Sequence, residues 1–196
     1  MQENERAILE MRAEGRKRTH RSIYDEYTVV GSVRYTFDWH TVVHRRIHIM
    51  LPEEFVDLPS EIAKLRYPSE SRPGEIKSSI DSLTNFAFLY GQKIQKEEIV
   101  QASRIYAAAI NQLNPSNEFL ESGTFYRDKK AGQVVSWYEY LSPAFGGRVY
   151  NRHAFLCVEQ KLLQVVFNCP EEQAEGWKEP LIEIFASVYS DLEKQY

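Results

Sequence analysis

Three histidines, His40, His44 and His48, recur every four residues. On a helix that spacing would align the imidazoles along one face, where adjacent members could share a metal ion. The residues around them, Thr41-Val42-Val43 and Ile47-His48-Ile49, are strand formers instead. On a strand the spacing still keeps one face, but at ~3.3 Å per residue it sets neighbours ~13 Å apart, too far for one ion to bridge. The same separation divides His153 from Cys157, whereas a thiol–imidazole pair needs hydrogen-bond reach. The acidic pairs Glu53-Glu54, Glu97-Glu98 and Glu171-Glu172 suit a solvated face or the first turn of a helix, where carboxylates complement the macrodipole. There is no P-loop, no dinucleotide glycine fingerprint and no Gly-x-Ser-x-Gly. These patterns assign no catalytic residue, no metal ligand and no cofactor.

Other residues suggest surfaces. Arg148 follows Gly146-Gly147, a pair that tolerates positive φ in a turn, and is a candidate anion-binding residue. Arg12, Arg16, Lys17, Arg18, His20 and Arg21 form the one basic cluster. Such a cluster could tether nucleic acid or an acidic partner. Glu3, Glu5, Glu10 and Glu14 dilute its charge, so a charged helix end is the simpler account. Between Arg66 and Gly74, Pro68 and Pro73 stiffen a loop that holds Tyr67 and Arg72. A stiff loop loses little entropy on binding, and Tyr and Arg are favoured anchor residues. Arg66, Tyr67, Arg72 and nearby Phe55 are therefore the candidate partner-binding residues.

The elements that must position these groups follow from periodicity. Residues 1–18 pattern as a weakly amphipathic helix, and residues 1–22 as a basic arm before a single domain over 23–196. Tyr24 to Phe37 suits strands with a turn at Gly31-Ser32, and Val42 to Leu51 reads as one further strand. Ile62, Ala63 and Leu65 fit a short helical turn. Residues 76–80 fit an edge strand, and Thr84 to Tyr90 a strand with Phe86 and Phe88 on one face. Gln95 to Leu113 is a helix with Ala102, Ile105, Tyr106, Ala109, Ile110 and Leu113 as its stripe. Four strands follow at about 119–128, 133–141, 149–159 and 162–168, with breaks short enough to demand antiparallel neighbours. A last helix spans about 177–194, with Trp177, Leu181, Ile184, Phe185, Val188 and Leu192 inward and Pro180 near its start. This order predicts an α+β fold, a twisted antiparallel β-sheet flanked by helices.

Composition agrees with one such domain. The chain has 196 residues, 43% hydrophobic and 27% charged, enough for one core. A net charge of −4 argues against nucleic acid as the partner of the whole body. No apolar run approaches the ~18 residues that span a bilayer, and the N-terminus lacks a signal-like apolar region. Cys157 and Cys169 do not face each other in the expected hairpin and read as free thiols. The expected compartment is the cytoplasm.

Short motifs carry a resemblance. Leu65-Arg66-Tyr67-Pro68-Ser69-Glu70-Ser71-Arg72-Pro73 precedes the Asn85-Phe86-Ala87-Phe88 strand. Val166-Phe167-Asn168-Cys169-Pro170 closes the late hairpin, and Trp177-Lys178-Glu179-Pro180 opens the last helix. Over roughly residues 45–195 the chain resembles the Mog/PsbP-like superfamily and its bacterial members. The resemblance implies an α/β/α sandwich and non-enzymatic accessory work: one member is an extrinsic photosystem subunit, and another binds a small GTPase. It supplies no residue-level binding site and leaves the extra N-terminal helix unexplained. The expectation is thus an accessory module that binds another protein, in a complex or as a homo-oligomer. The alternatives are a small-ligand binder or enzyme with a pocket assembled from distant residues, and tethering through the basic arm.

Overall fold

The structure is a computed structural model that describes residues 21–66, 72–130 and 132–192. The expected helix over residues 1–18 lies outside the described residues. The chain enters through a hairpin of β1 (Thr28–Val30) and β2 (Val33–Tyr35). Its turn is Gly31-Ser32, where Gly31 takes the left-handed φ of 62°.

The expected single strand over Val42–Leu51 is instead broken by the turn of a hairpin. β3 (Phe37–Val42) pairs antiparallel with β4 (Ile47–Pro52), with Val42 opposite Ile47. Val43, His44 and Arg45 form the turn, all with left-handed φ, at 55°, 56° and 62°. The Arg46 amide closes it by donating to the carbonyls of Val42 and Val43, at 3.1 and 3.3 Å.

The main sheet has seven strands. In chain order they are β5 (Val56–Asp57), β6 (Glu75–Ser78), β7 (Asn85–Lys93), β8 (Glu118–Asp128), β9 (Gln133–Ala144), β10 (Gly147–Val158) and β11 (Lys161–Pro170). Their spatial order is β5-β6-β7-β11-β10-β9-β8, antiparallel throughout. β6 is not the edge, because the two-residue β5 pairs outside it. The 159–160 turn sets the β10–β11 register, with Val158 opposite Lys161. In that register Cys157 faces Leu162 and Cys169 faces Tyr150, so the thiols do not meet.

Strand alternation sends one set of side chains to each face. One face carries Phe86, Phe88, Val165, Phe167, Tyr150, Ala154, Leu156 and Val135 into the main core. That core is closed by α3 (Ala174–Ser187) together with β3, β4 and β12 (Tyr189–Ser190), which make a separate three-stranded sheet. This layer is therefore helix plus sheet, where the sequence predicts helix alone. Ile47, Ile49 and Leu51 of β4 are fully buried there, as their alternation requires.

Trp177 sits at the centre of this core, with ring centroids 5.3 Å from Tyr35, 5.2 Å from Phe167 and 6.3 Å from Phe86. Burying one such side chain stabilises by ~1.5–3 kcal/mol. α3 begins three residues before Trp177, so Pro180 falls inside it, and the helix loses one backbone donor there. Pro180 is itself buried.

The helix stops at Ser187 rather than running to 194. The Ser187 hydroxyl accepts the Met50 amide at 2.9 Å and donates to the Ile184 carbonyl at 2.6 Å, which ties the last turn to β4. Leu192, expected in the stripe, is 54% exposed.

A buried polar pair bridges β9, β10 and α3. Arg152 Nε lies 3.5 Å from Glu139 Oε2, and the Tyr150 hydroxyl donates to the same carboxylate. The Arg152 guanidinium also lies 3.7 Å above the Trp137 ring and donates to the Lys178 carbonyl at 3.0 Å.

The opposite face is covered by two helices. α1 (Ser60–Arg66) places Ala63 over Ile76 and Ala87 with Leu58. α2 (Ile99–Leu113) packs Ile99, Ala102, Tyr106 and Ile110 on Tyr138, Tyr140, Phe155 and Leu162. The α2 stripe is rotated from the expected one: Ile105 and Leu113 are exposed, while Ser103 is buried.

Candidate functional site

A cleft of about 610 Å³ opens where the β3–β4 turn meets β5, β6 and β7. Val43, His44, Asp57, Leu58 and the segment from Arg72 to Ile76 line it. Phe88, Leu89 and Tyr90 complete it. The turn is held in place from a distance: the Val43 amide donates to Glu75 Oε2 at 2.7 Å. Left-handed backbone is costly for a β-branched residue, so a fixed partner must stabilise it.

Charge around the cleft is mixed. Lys77 Nζ lies 2.7 Å from Asp57 and 3.9 Å from Glu75. The Tyr90 hydroxyl donates to the Val158 carbonyl and Glu159 at 3.3 Å, and Glu159 also pairs with Arg46 at 3.1 Å. Beneath the turn, His40 Nε2 lies 3.1 Å from the Pro52 carbonyl. Burial, and then the Lys77 charge, hold the His40 pKa below its ordinary value. Arg72 is half-buried in the cleft, and among the described residues its guanidinium has no ion-pair partner.

The other loop candidates fare differently. Arg66 ends α1, and Tyr67 lies outside the described residues. Phe55 is not a surface residue at all. It is 2% exposed, with its ring 6.5 Å from Tyr35, 6.0 Å from Phe86 and 6.4 Å from Trp177. A tight turn, with the Phe55 amide 3.0 Å from the Pro52 carbonyl, directs it inward.

Arg148 is also corrected. Its guanidinium donates to Glu171 through Nε, at 2.8 Å, and through Nη2, and to Glu118 through Nη1. Two carboxylates thus fill the fork that an external anion would need.

Of the basic arm, Arg12, Arg16, Lys17 and Arg18 lie outside the described residues. Arg21 is described: its guanidinium and that of Arg34 each lie 4.0 Å from the Tyr27 ring centre. The adjoining chain is tied to the domain, because the Ser22 hydroxyl and the Ile23 amide both donate to Glu183.

The histidines do not converge. Thr41 is opposite His48, so His40 and His48 point to opposite faces, and His44 is in the turn. The hairpin overturns the expectation of one shared face. His48 stacks on Tyr189 at 4.7 Å and bonds Asp191 at 3.1 Å. No group of three metal-ligating side chains occurs among the described residues.

His153 and Cys157 share a face of β10 without meeting. His153 is enclosed by the Tyr138 hydroxyl at 3.1 Å, the Tyr140 hydroxyl at 3.3 Å and the Gln164 amide at 2.9 Å. Burial pushes its pKa down to about 3, so the ring is neutral. Cys157 bonds the Ile94 carbonyl instead. Burial pushes the Cys169 thiol up to about 12, far from a reactive thiolate.

Sequence reasoning reached Arg72 through its loop. It weighed His44 only as a metal ligand and missed Glu75; the topology brings both to the same cleft.

With the geometry in place, comparison with known structures identifies the fold. The chain is similar to the solution structure of cyanobacterial PsbP (CyanoP) from Synechocystis sp. PCC 6803, with a TM-score of 0.57 and 11% identity over 83% of this chain and 97% of that one. It is also similar to LpqN, described as involved in cell envelope biogenesis of Mycobacterium tuberculosis, with a TM-score of 0.50 and 9% identity over 87% of this chain and 97% of that one. The chain therefore shares the fold of these two structures. No protein-family profile matches the sequence, and no curated protein matches it in sequence. No helix among the described residues is long and apolar enough to cross a membrane.

Proposed function

We propose that this protein is a non-enzymatic accessory module that binds another protein through the cleft beside Arg72. The observation that carries this reading is the half-buried Arg72 side chain, which has no ion-pair partner among the described residues and lines that cleft. A partly desolvated arginine on a rigid edge is a strong anchor for a partner carboxylate or carbonyl. Pro73 fixes the backbone beside it, and the β3–β4 turn that lines the same cleft is clamped by Glu75.

Support also comes from the groups that could do chemistry. His153 is sealed in the core, Cys169 is buried, and His48 is engaged by Asp191 and Tyr189. The PsbP-like fold is consistent with accessory work, although fold alone does not carry function.

The competing reading is a small-ligand pocket, and the cleft volume of about 610 Å³ is what favours it. Affinity capture from the native cell separates the two. Wild-type protein is compared with an Arg66→Ala/Tyr67→Ala/Arg72→Ala form of equal thermal stability. A protein recovered with wild type and lost with the triple variant supports the proposal; identical recoveries refute it. The cytoplasm is the proposed location, on the strength of two cysteines that form no disulfide with each other. A second copy of the chain is one partner that the capture would reveal.

A further inference from the structure

The edge of β7 changes character halfway along. On one side β7 pairs with β11 from Asn85, opposite Asn168, to Lys93, opposite Lys161. On the other side β6 pairs with it only from Asn85 to Phe88, where Glu75 is the last partner. Leu89 to Lys93 are therefore a stretch of sheet edge with no strand beside it among the described residues. Leu89 and Tyr90 are half-buried, and Gly91, Gln92 and Lys93 are exposed. A strand edge presents backbone N–H and C=O groups in alternation, a template for another extended chain.

This edge belongs to the Arg72 cleft, because Leu89 and Tyr90 line it together with Arg72, Pro73 and Gly74. There is room for a second backbone: a Cβ built on Gly74 or on Gly91 would meet nothing within 4 Å. The β7–β11 register shifts between Tyr90 and Lys93, so a regular added ladder is short.

The sheet also sets the direction of a guest strand. β6 and β7 are antiparallel. A guest that extends the β6 row antiparallel to β7 enters opposite Lys93 and runs toward Gly74. There the row is already filled by the protein's own chain, so the guest must end. Its end is a C-terminal carboxylate, and the side chain two residues before Gly74 is that of Arg72. A parallel guest would instead bring an ammonium toward the same guanidinium.

Charge and polarity agree with that end group. Lys77 pairs with both acids of the cleft, Asp57 at 2.7 Å and Glu75 at 3.9 Å. Arg72 has no ion-pair partner among the described residues and is left as the cation that a carboxylate can fork. A smaller cavity of about 230 Å³ shares Leu58, Arg72 and Ile76 with the cleft and adds Ala63 and Lys64 of α1. Apolar surface thus lies beside the cations.

We propose that the partner segment taken by this cleft is a short C-terminal tail, paired antiparallel with β7 at Leu89 to Gly91, its carboxylate on Arg72 and its last side chain apolar. The inference rests on the protein-docking reading of the cleft and names what docks.

The test is an array of Gly-Gly-Gly-X-Z peptides, with X and Z varied over all residues, each tethered by its N-terminus and ending in a free carboxylate. A duplicate array ends in carboxamides. Probed with the fluorescently labelled full chain, a subset with apolar Z should bind on the first array. Binding on the second should be weaker by about tenfold or more, the loss expected when a hydrogen bond to a charged group is removed. Arg72→Ala of unchanged Tm should lose binding to the same degree. The strongest peptide, added to the ¹⁵N-labelled chain, should shift the backbone amides of Leu89, Tyr90 and Gly91. No binding, equal binding to both arrays, undiminished binding by Arg72→Ala, or amide shifts confined to other elements overturns the inference. The docking reading fails separately, when affinity capture returns no Arg72-dependent protein. A captured protein that still binds after its C-terminal residues are removed keeps that reading and overturns this one.

Discussion

His153 should make this protein sensitive to acid. The ring is sealed between Tyr138, Tyr140 and Gln164, and burial lowers its pKa to about 3. An unfolded histidine titrates near ~6.5. The unfolded chain therefore binds a proton that the folded chain refuses. Stability from this residue is complete above pH ~6.5 and is lost as pH falls from there toward the folded value. Linkage gives a loss of about 2 kcal/mol between pH 7.5 and 5.0, approaching ~1.4 kcal/mol per pH unit at the lower end. For a chain of this size that lowers Tm by roughly 4–8 °C. His40 shifts in the same direction, so the decisive comparison is with His153→Gln. Urea unfolding at the two pH values should show wild type losing about 2 kcal/mol more than the variant. Equal pH dependence in both would mean that His153 is not held neutral by burial.

Other perturbations test other parts of the fold. Gly123→Ala should lower stability by ~1–3 kcal/mol in thermal melts, because overpacking forces side chains from their minima. Its Cβ would lie 2.8 Å from Trp137 Cζ2, and Arg152 already covers that indole. Arg152→Leu should cost ~3–5 kcal/mol by leaving Glu139 buried without its partner, and Glu139→Leu/Arg152→Leu should recover most of the loss. Cys169, buried and with a thiol pushed up to about 12, should resist iodoacetamide at pH 8 in the folded protein and react on unfolding, read by mass spectrometry.

Which parts were legible in the sequence depends on how local their causes are. β8 to β11 were readable because alternation and turn residues lie within each strand and its ends. The β3–β4 hairpin was not: Val43, His44 and Arg45 carry no Gly, Asn or Pro signal for their left-handed turn. That turn is fixed by Glu75, 32 positions away. Arg148 looked available because Glu118 and Glu171, its partners, lie 30 and 23 positions distant. Phe55 looked exposed because it is in a connecting loop, yet three aromatic rings from distant elements enclose it. The open edge of β7 left no sequence signal, since it depends on where β6 stops beside it.

The proposed docking of a partner protein in the cleft beside Arg72 is open to direct test. A photo-crosslinking amino acid at position 44, on the rim of that cleft, tests it most directly in the native cell. Position 105, exposed on α2, serves as the control. A partner docked there should give a discrete crosslink to another protein chain from position 44, absent from position 105 and lost when Arg72→Ala is added. No crosslink from position 44, or the same product from both positions, would contradict it.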